Sequence, residues 1–415
     1  MNRREQPAEA LDVALTSGER RPTGGPHRVR AESMRVAVNS LFWGQEGAGS
    51  GQYLHNLLPS LAHLEPSASY VLLGPATGRA AGAGAGPWPR HTLRTPFDGR
   101  SENLAKVWFE QVAYPRACRR IGADVAHVPY FAPPLFPTVP TVVTIHDLIP
   151  LILPEYRATR AVRAYMALVA RAARRAHVVV TDSQASARDI ERLLGLRGER
   201  VRVIYLAADA RYRPVAPAEC RPVRERLGLP EEYLLYLGGM DRRKNVPVLL
   251  DAYALARERL GGLPLVLAGR LPERDTLFAQ DPRPLIGRLG LAASVHLPGW
   301  VDEADKPALY SGAVGFCFPS AYEGFGLPVL EAISCGTPAI VASGSSLEEV
   351  AGAGGLVVPA GDAPALAEAL VRLVREPGLR EDLSRAGLQH AQRFSWQRTA
   401  AQTLAAYEQA LQSVG

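Results

Sequence analysis

The sequence predicts an α/β protein made of two doubly wound, Rossmann-like domains that face each other across a cleft. Three observations predict it. At 415 residues the chain is long enough for two full cores. Short apolar runs alternate with helix-length amphipathic segments, once before and once after a Pro-, Arg- and Ala-rich stretch at 209–230 that reads as the connection. Glycine-bearing turns follow strand-like runs in both halves, and ligands of open parallel sheets gather beyond such strand ends.

The first domain is placed at 34–215. Residues 1–33 are polar, rich in Arg, Pro and Gly, and have no apolar h-region. They read as a disordered tail rather than a secretory signal, with Met34 as an alternative start. Met34–Val38 is the first strand. Gly47, Gly49 and Gly51 then lead into a helix over about Gln52–Leu64, whose Tyr53, Leu57, Leu58 and Leu61 share one face. A strand, a glycine turn and a helix suit the approach of a phosphate. The spacing is not a dinucleotide fingerprint, and no Walker lysine is present. Tyr70–Leu73 is a strand, 74–90 a Gly-, Ala- and Pro-rich surface loop, and Glu102–Arg120 a helix interrupted near Pro115. Asp124–Val128 and Thr141–Ile145 are strands on either side of a proline-rich connection.

His146 and Asp147 stand just past the second of these strands, placed either to meet a ligand or simply to cap a loop. Arg157–His177 reads as a helix carrying six arginines, either a solvated outer helix or a basic face for anionic lipid. Val178–Thr181, a helix capped by Asp182 or Ser183, and Val201–Ile204 complete the domain.

The second domain is placed at 216–394. The strand Tyr233–Leu237 runs into Gly238-Gly239-Met-Asp-Arg-Arg243-Lys244-Asn245, then a helix over about Pro247–Leu260. Two cations after a glycine turn at a strand end suit a diphosphate, Arg as a bidentate fork and Lys as a point charge. The plain alternative is a solvated basic turn. Leu263–Ala268, Val295–Leu297 and Val314–Phe318 are further strands, with a helix ending over Pro307–Ser311. After the last comes Pro319-Ser-Ala-Tyr-Glu323-Gly-Phe-Gly-Leu-Pro-Val-Leu-Glu331, with Pro328 suited to the first helical position and Gly336 to the position past the helix end.

Gly324 and Gly326 allow close backbone approach, and the free N–H groups at the helix start favour a phosphate. Glu323 in the loop can accept from hydroxyls, and Glu331, expected in the first turn, can accept two bonds from a diol. Alternatively, Glu331 is only a dipole-favoured acid and Glu323 a solvated loop residue. Ala339–Ala342, a helix through Glu349, Gly355–Val358 and a helix to Arg375 follow. A last helix over 395–412 places Trp396, Ala400, Leu404, Tyr407 and Leu411 on one face.

Composition is ordinary for a globular chain, with 47% hydrophobic and 21% charged residues. A net charge of +6 suits an anionic substrate or membrane surface without requiring either, and nothing indicates nucleic acid. Four cysteines without metal or CxxC spacing read as a reduced, cytoplasmic protein. No apolar run reaches transmembrane length. No D-x-D motif occurs, so no diphosphate-bound metal and no cofactor are expected.

Glu323-(seven residues)-Glu331 with Gly-Phe-Gly-Leu-Pro inside resembles the signature of the retaining glycosyltransferases of family four, which have the GT-B fold. The resemblance covers about residues 34–412 and is tighter in the second half. It implies that Glu323 and the backbone of Gly324, Phe325, Gly326 and Leu327 contact the donor sugar and phosphate, and that Glu331 holds the ribose. It implies a diphosphate role for Lys244. The loop at Gly49 and Gly51 would approach the same diphosphate, and Trp300 and Val301 would line the base. Many relatives have an Arg where this chain has Gly239, so Arg243, or else Arg242, is expected to supply the second cation.

His146–Glu155 resembles the donor-side loop of mannosyltransferases in the family, which places His146 near the donor sugar and Asp147 as a positioning residue. The first domain would take the acceptor, and residues 395–415 would cross back onto it.

The reaction so implied moves a hexose from a nucleotide diphosphate sugar, GDP-mannose first and a UDP-sugar next, to a hydroxyl with retention. The acceptor is a glycan, a lipid-linked saccharide or a small molecule, and a lipid-linked one implies peripheral contact with the inner membrane face. Two alternatives stand beside it: a sugar-nucleotide epimerase of the same fold, and a non-catalytic nucleotide-sugar-binding partner.

Overall fold

The computed structural model describes residues 34–45, 49–76, 86–157 and 159–414. The expected tail at 1–33, Gly47 and much of the 74–90 loop lie outside them. The first domain runs β1 (Arg35–Asn39), α1 (Gly49–Leu64), β2 (Ser69–Pro75), β3 (Arg90–Leu93), α2 (Glu102–Trp108), a π-helical turn (Phe109–Ala113), α3 (Tyr114–Arg120), β4 (Val125–Val128), β5 (Thr141–Thr144), α4 (Ile149–Ile152), α5 (Arg160–Ala173), β6 (Val178–Thr181), α6 (Gln184–Leu194) and β7 (Val201–Val203).

The second runs α7 (Pro217–Leu227), β8 (Leu234–Leu237), α8 (Val246–Ala256), β9 (Leu265–Ala268), α9 (Arg283–Arg288), β10 (Val295–Gly299), α10 (Lys306–Ser311), β11 (Gly315–Phe318), α11 (Leu327–Ser334), β12 (Ala339–Ala342), α12 (Leu347–Ala351), β13 (Gly355–Val358), α13 (Ala363–Arg375) and α14 (Pro377–Ala391). The chain closes with α15 (Trp396–Gln412).

Both sheets are parallel, ordered β3-β2-β1-β4-β5-β6-β7 and β10-β9-β8-β11-β12-β13. Their central strands, such as β6 (VVVT), β8 (LLYL) and β11 (GFCF), are buried along their whole length. Helices cover both faces of such sheets, so the strands read as continuous apolar runs rather than alternating ones. Strand order reverses between β1 and β4 in the first sheet and between β8 and β11 in the second. A crevice opens at such a reversal. The Arg243–Lys244 turn follows β8 and the Glu323 loop follows β11, so the topology alone brings them together.

Several elements depart from the sequence reading, among them β3, α4 and α9, which it did not place. Residues 217–227 of the expected connection form α7, which packs on α10. It buries only Cys220, so no apolar stripe announces it. The same holds for α14, which buries only Leu383 and Gly387. The arginine-rich helix begins at Arg160, where Thr159 Oγ1 accepts from Val162 N–H at 3.2 Å.

The last helix lies against α1 and the first sheet. It buries Trp396, Thr399, Ala400, Thr403, Ala406, Tyr407 and Ala410, whereas Leu411 is exposed. The buried stripe is thus rotated toward small residues, which let the two helices approach closely. Tyr407 bonds His127 Nδ1 at 2.8 Å, and His127 Nε2 meets Thr144 Oγ1 at 2.9 Å. Burial pushes the His127 imidazolium down to about 3, so the ring is neutral. Tyr407→Phe strands one ring nitrogen in the core and should cost about 1–3 kcal/mol. A thermal melt reads this; an unchanged midpoint contradicts it.

Candidate active site

After β8 the chain turns through Gly238 and Gly239 to Asp241, whose carboxylate accepts from Arg243 N–H at 3.1 Å and so caps a short helical turn over Arg242–Lys244. Asn245, at φ +53, ends the turn, and its side chain donates to Pro319 O at 3.1 Å. Asn is among the few residues that adopt this left-handed conformation readily. The turn thereby aims two cations at the loop after β11. Lys244 Nζ lies 2.5 Å from Glu323 Oε1, and Arg243 Nη1 lies 2.7 Å from Glu323 Oε2. Ser320 Oγ donates to Oε1 at 2.7 Å. Lys244 Nζ also sits 4.6 Å from the centre of the Phe318 ring.

Burial alone would push Glu323 up, but Lys244 and Arg243 hold it below the usual carboxylate range. Burial pulls the Lys244 ammonium down, and neighbouring Arg243 adds to this against the opposing pull of Glu323. Arg242 turns away: it is exposed and donates to Thr276 O at 3.3 Å. The geometry therefore pairs Arg243, not Arg242, with Lys244, and the space beside Gly239 is open.

The glycines of the loop answer mainly to protein neighbours. A Cβ on Gly324 would lie 2.1 Å from His146 O, across the cleft in the first domain. A Cβ on Gly326 would lie 2.5 Å from Leu347 Cδ2, and its φ of +106 disfavours any side chain. Packing thus demands both glycines by itself, beside the expected approach of a ligand to their backbone. Ser186 Oγ lies 3.1 Å from Gly324 O and 3.2 Å from His146 O. Ser346 Oγ donates to Phe325 O at 2.7 Å. The Phe325 side chain is buried, 5.9 Å from the ring of Phe394, so only its main chain faces the loop.

His146 holds Asp182 Oδ2 at 2.7 Å through Nδ1 and Pro129 O at 3.1 Å through Nε2. Burial pulls this ring down, but Asp182 outweighs it and the net shift is upward. Its side chain keeps 19% exposure. Asp147 lies beside it and accepts from Ile149 N–H at 3.0 Å.

Glu331 does not sit in the first turn. The helix α11 starts at Leu327, with Pro328 second rather than first, and Glu331 is one turn further in. It is buried, and Oε2 accepts from Tyr310 OH at 2.9 Å. Burial raises this carboxyl to about 7, against the pull of Lys306 and the Tyr310 bond. Glu331 and Leu327 line a cavity of about 300 Å3 with Gln52 and Asn56 of α1 and with Arg211 and Tyr212 of the crossing chain.

Gly49 meets nothing within 4 Å, while a Cβ on Gly51 would lie 2.1 Å from Gln45 O, so Gly51 is fixed by its own turn. The Val301 side chain is buried in the core, and its main chain alone can reach a ligand; Trp300 is exposed. Sequence reasoning missed Tyr310, Tyr212, Asp182 and Ser320. Tyr310, Tyr212 and Asp182 act through contacts to distant positions that no periodicity links, whereas Ser320 lies inside the motif loop, three residues before Glu323. Among the described residues, no group of three or more His, Cys, Asp or Glu side chains gathers as a metal site.

Two family models match the chain: Glycosyltransferase Family 4 over residues 47–212 and Glycosyl transferases group 1 over 222–390. The O-antigen chain mannosyltransferase B of Escherichia coli is 37% identical over 235 residues, 56% of this chain and 61% of that protein. The phosphatidyl-myo-inositol mannosyltransferase of Mycobacterium leprae is 36% identical over 179 residues, 42% of this chain and 46% of that protein. The chain thus spans about half the length of these relatives. The sucrose-phosphate synthase of Thermosynechococcus elongatus superposes with a TM-score of 0.72 at 23% identity, over 91% of this chain and 98% of that one, which bears on the fold. The models cover both halves and the superposition covers their mutual arrangement, so the chain belongs to the family-four, group 1 glycosyltransferases and has the GT-B fold.

Proposed function

We propose that the chain transfers a hexose, mannose first, from a nucleotide diphosphate sugar to a hydroxyl of a glycan or lipid-linked acceptor, with retention. One observation carries the reading: Lys244 and Arg243 share the Glu323 carboxylate at the strand-order reversal, one loop from Glu331. An incoming diphosphate would compete for both cations and release the Glu323 oxygens to sugar hydroxyls. The cations then offset the charge on the departing nucleoside diphosphate, commonly the largest catalytic contribution. No metal enters this account. The phosphate leaves on the face the acceptor attacks and takes the acceptor's proton. The names of the relatives support mannose, and GDP-mannose follows as the first donor to try. No helix among the described residues is long and apolar enough to cross a membrane. The exposed arginines of α5 suit an anionic surface, where a lipid-linked acceptor would be met.

The test follows nucleoside diphosphate release from GDP-mannose with and without mannosylated glycans. Release that depends on acceptor supports transfer. Isomerised sugar without acceptor, or binding with no turnover on any acceptor, overturns it.

Glu331 adds a pH dependence. Its carboxyl, raised to about 7, is protonated below neutrality and then offers a diol one acceptor fewer. A ligand that prefers the ionised form binds more weakly as pH falls through that value. Affinity for GDP-mannose, whose diphosphate has no ionisation near neutrality, should therefore rise between about pH 6 and 8. Glu331→Gln should flatten the profile. A flat profile in the unaltered protein contradicts the assignment.

A further inference from the structure

Tyr156 takes no part in the site described so far, yet it touches the turn that carries the two cations. It sits in a tight helical turn over Pro154–Arg157, directly past the segment His146–Glu155, and so belongs to the first domain. Its hydroxyl donates across the cleft to Asp241 Oδ2 at 2.5 Å. Burial first, and then the Asp241 carboxylate, push this phenol up, so it stays protonated and remains a donor. Its ring lies 5.3 Å from that of Phe278, whose carbonyl accepts from Arg242 N–H at 2.7 Å. One first-domain side chain thus meets both the cap of the cation turn and the segment bonded to it. Other bonds also cross the cleft. Tyr322 OH donates to Asp189 at 2.6 Å, and Glu349 accepts from Gln184 N–H and Ala185 N–H, both at 3.0 Å. Of these contacts, only that of Tyr156 reaches the turn of Arg243 and Lys244.

The contact matters because of what Asp241 could otherwise do. Its Oδ1 caps the turn by accepting from Arg243 N–H at 3.1 Å. The same oxygen lies 3.6 Å from Arg243 Nε, too far for a hydrogen bond. The guanidinium instead gives Nη1 to Glu323 Oε2 at 2.7 Å. Glu323 and Asp241 therefore compete for one guanidinium, and Tyr156 occupies the second oxygen of Asp241. Without that donor, the Asp241 carboxylate is free to turn both oxygens onto Arg243. A bidentate pair of that kind is the stronger arrangement. An Arg243 so paired has less charge to offer a diphosphate.

We propose that Tyr156 is a positioning residue: from the first domain it holds Asp241 off the Arg243 guanidinium and so leaves that charge to the donor diphosphate. This rests on the nucleotide-sugar reading above. The cation pair is then fully committed only while the first domain lies against the turn. Stabilisation of the leaving group is thereby tied to the domain expected to take the acceptor.

The experiment is a calorimetric titration with GDP and UDP of the unaltered protein, Tyr156→Phe, Asp241→Asn and the double variant, each shown by a thermal melt to be folded. Tyr156→Phe keeps the ring beside Phe278 and removes only the hydroxyl. It should weaken the better-bound nucleotide about tenfold, the effect of one hydrogen bond to a charged group. Asp241→Asn keeps an oxygen to cap the turn and cannot form an ion pair with Arg243. The double variant should therefore match Asp241→Asn alone, because the hydroxyl has no competing charge left to restrain. A merely structural Tyr156 predicts the opposite: its loss would add to that of Asp241→Asn in full. Equal affinity in Tyr156→Phe and the unaltered protein, or a tenfold loss that persists in the Asp241→Asn background, overturns the proposal and leaves the nucleotide-sugar reading standing. If folded, unaltered protein binds neither nucleotide, both fall.

Discussion

Replacing Lys244 by alanine lowers the rate of nucleoside diphosphate release by about 10²- to 10³-fold, the loss expected for one key donor at a developing negative charge. The geometry explains why the effect falls on turnover rather than folding. Lys244 shares Glu323 with Arg243 and Ser320, which lie 2.7 Å from its two oxygens. Removing the ammonium leaves the carboxylate paired, so it avoids the several-kcal/mol penalty of a lone buried charge. Arginine at the same position keeps the charge but needs more room beside the Phe318 ring, and should recover little. The check is the turnover number beside a thermal melt. A variant that melts normally and turns over normally contradicts the role given to Lys244.

Replacing Glu331 by alanine weakens nucleotide affinity by about 10- to 100-fold, since hydrogen bonds to a charged acceptor contribute about 1.5–3 kcal/mol. Tyr310 holds one of its oxygens at 2.9 Å, Tyr212 also bonds the carboxyl, and the residue lines the cavity. The alanine variant strands the buried Tyr310 hydroxyl, which can lower stability by itself. Glu331→Gln keeps the size and one acceptor, and should fall between the alanine variant and the unaltered protein. Titration with GDP separates the cases. Equal affinity in all three proteins contradicts a ribose-holding carboxylate.

Much of this architecture could be read from the residues because parallel strands buried on both faces leave uninterrupted apolar runs. The runs at β6, β8 and β11 needed only their length and unbroken apolar character to be recognised. The motif loop was legible for a similar reason: its parts lie within thirteen consecutive residues, from Pro319 to Glu331. What sequence could not show is set by contacts between distant positions. Gly324 is demanded by the His146 carbonyl, and Tyr407 by a histidine 280 residues away. Helices α7 and α14 bury too few apolar side chains to leave a periodic trace. The displacement of Glu331 into the second turn matters most chemically. A first-turn acid would be stabilised as an anion by the helix dipole, whereas burial further along the helix raises it to about 7.

The central claim is that a nucleoside diphosphate is held by the Lys244–Arg243–Glu323 cluster and by Glu331. The most direct measurement is a thermal-shift titration with GDP and UDP on the unaltered protein and on Lys244→Ala. A ligand that binds only the folded state raises its midpoint, by about 2.7 kcal/mol of stabilisation at a hundredfold excess over Kd. The account predicts a concentration-dependent rise with GDP, a smaller one with UDP, and little shift in Lys244→Ala. No rise with either nucleotide, or an equal rise in Lys244→Ala, contradicts it.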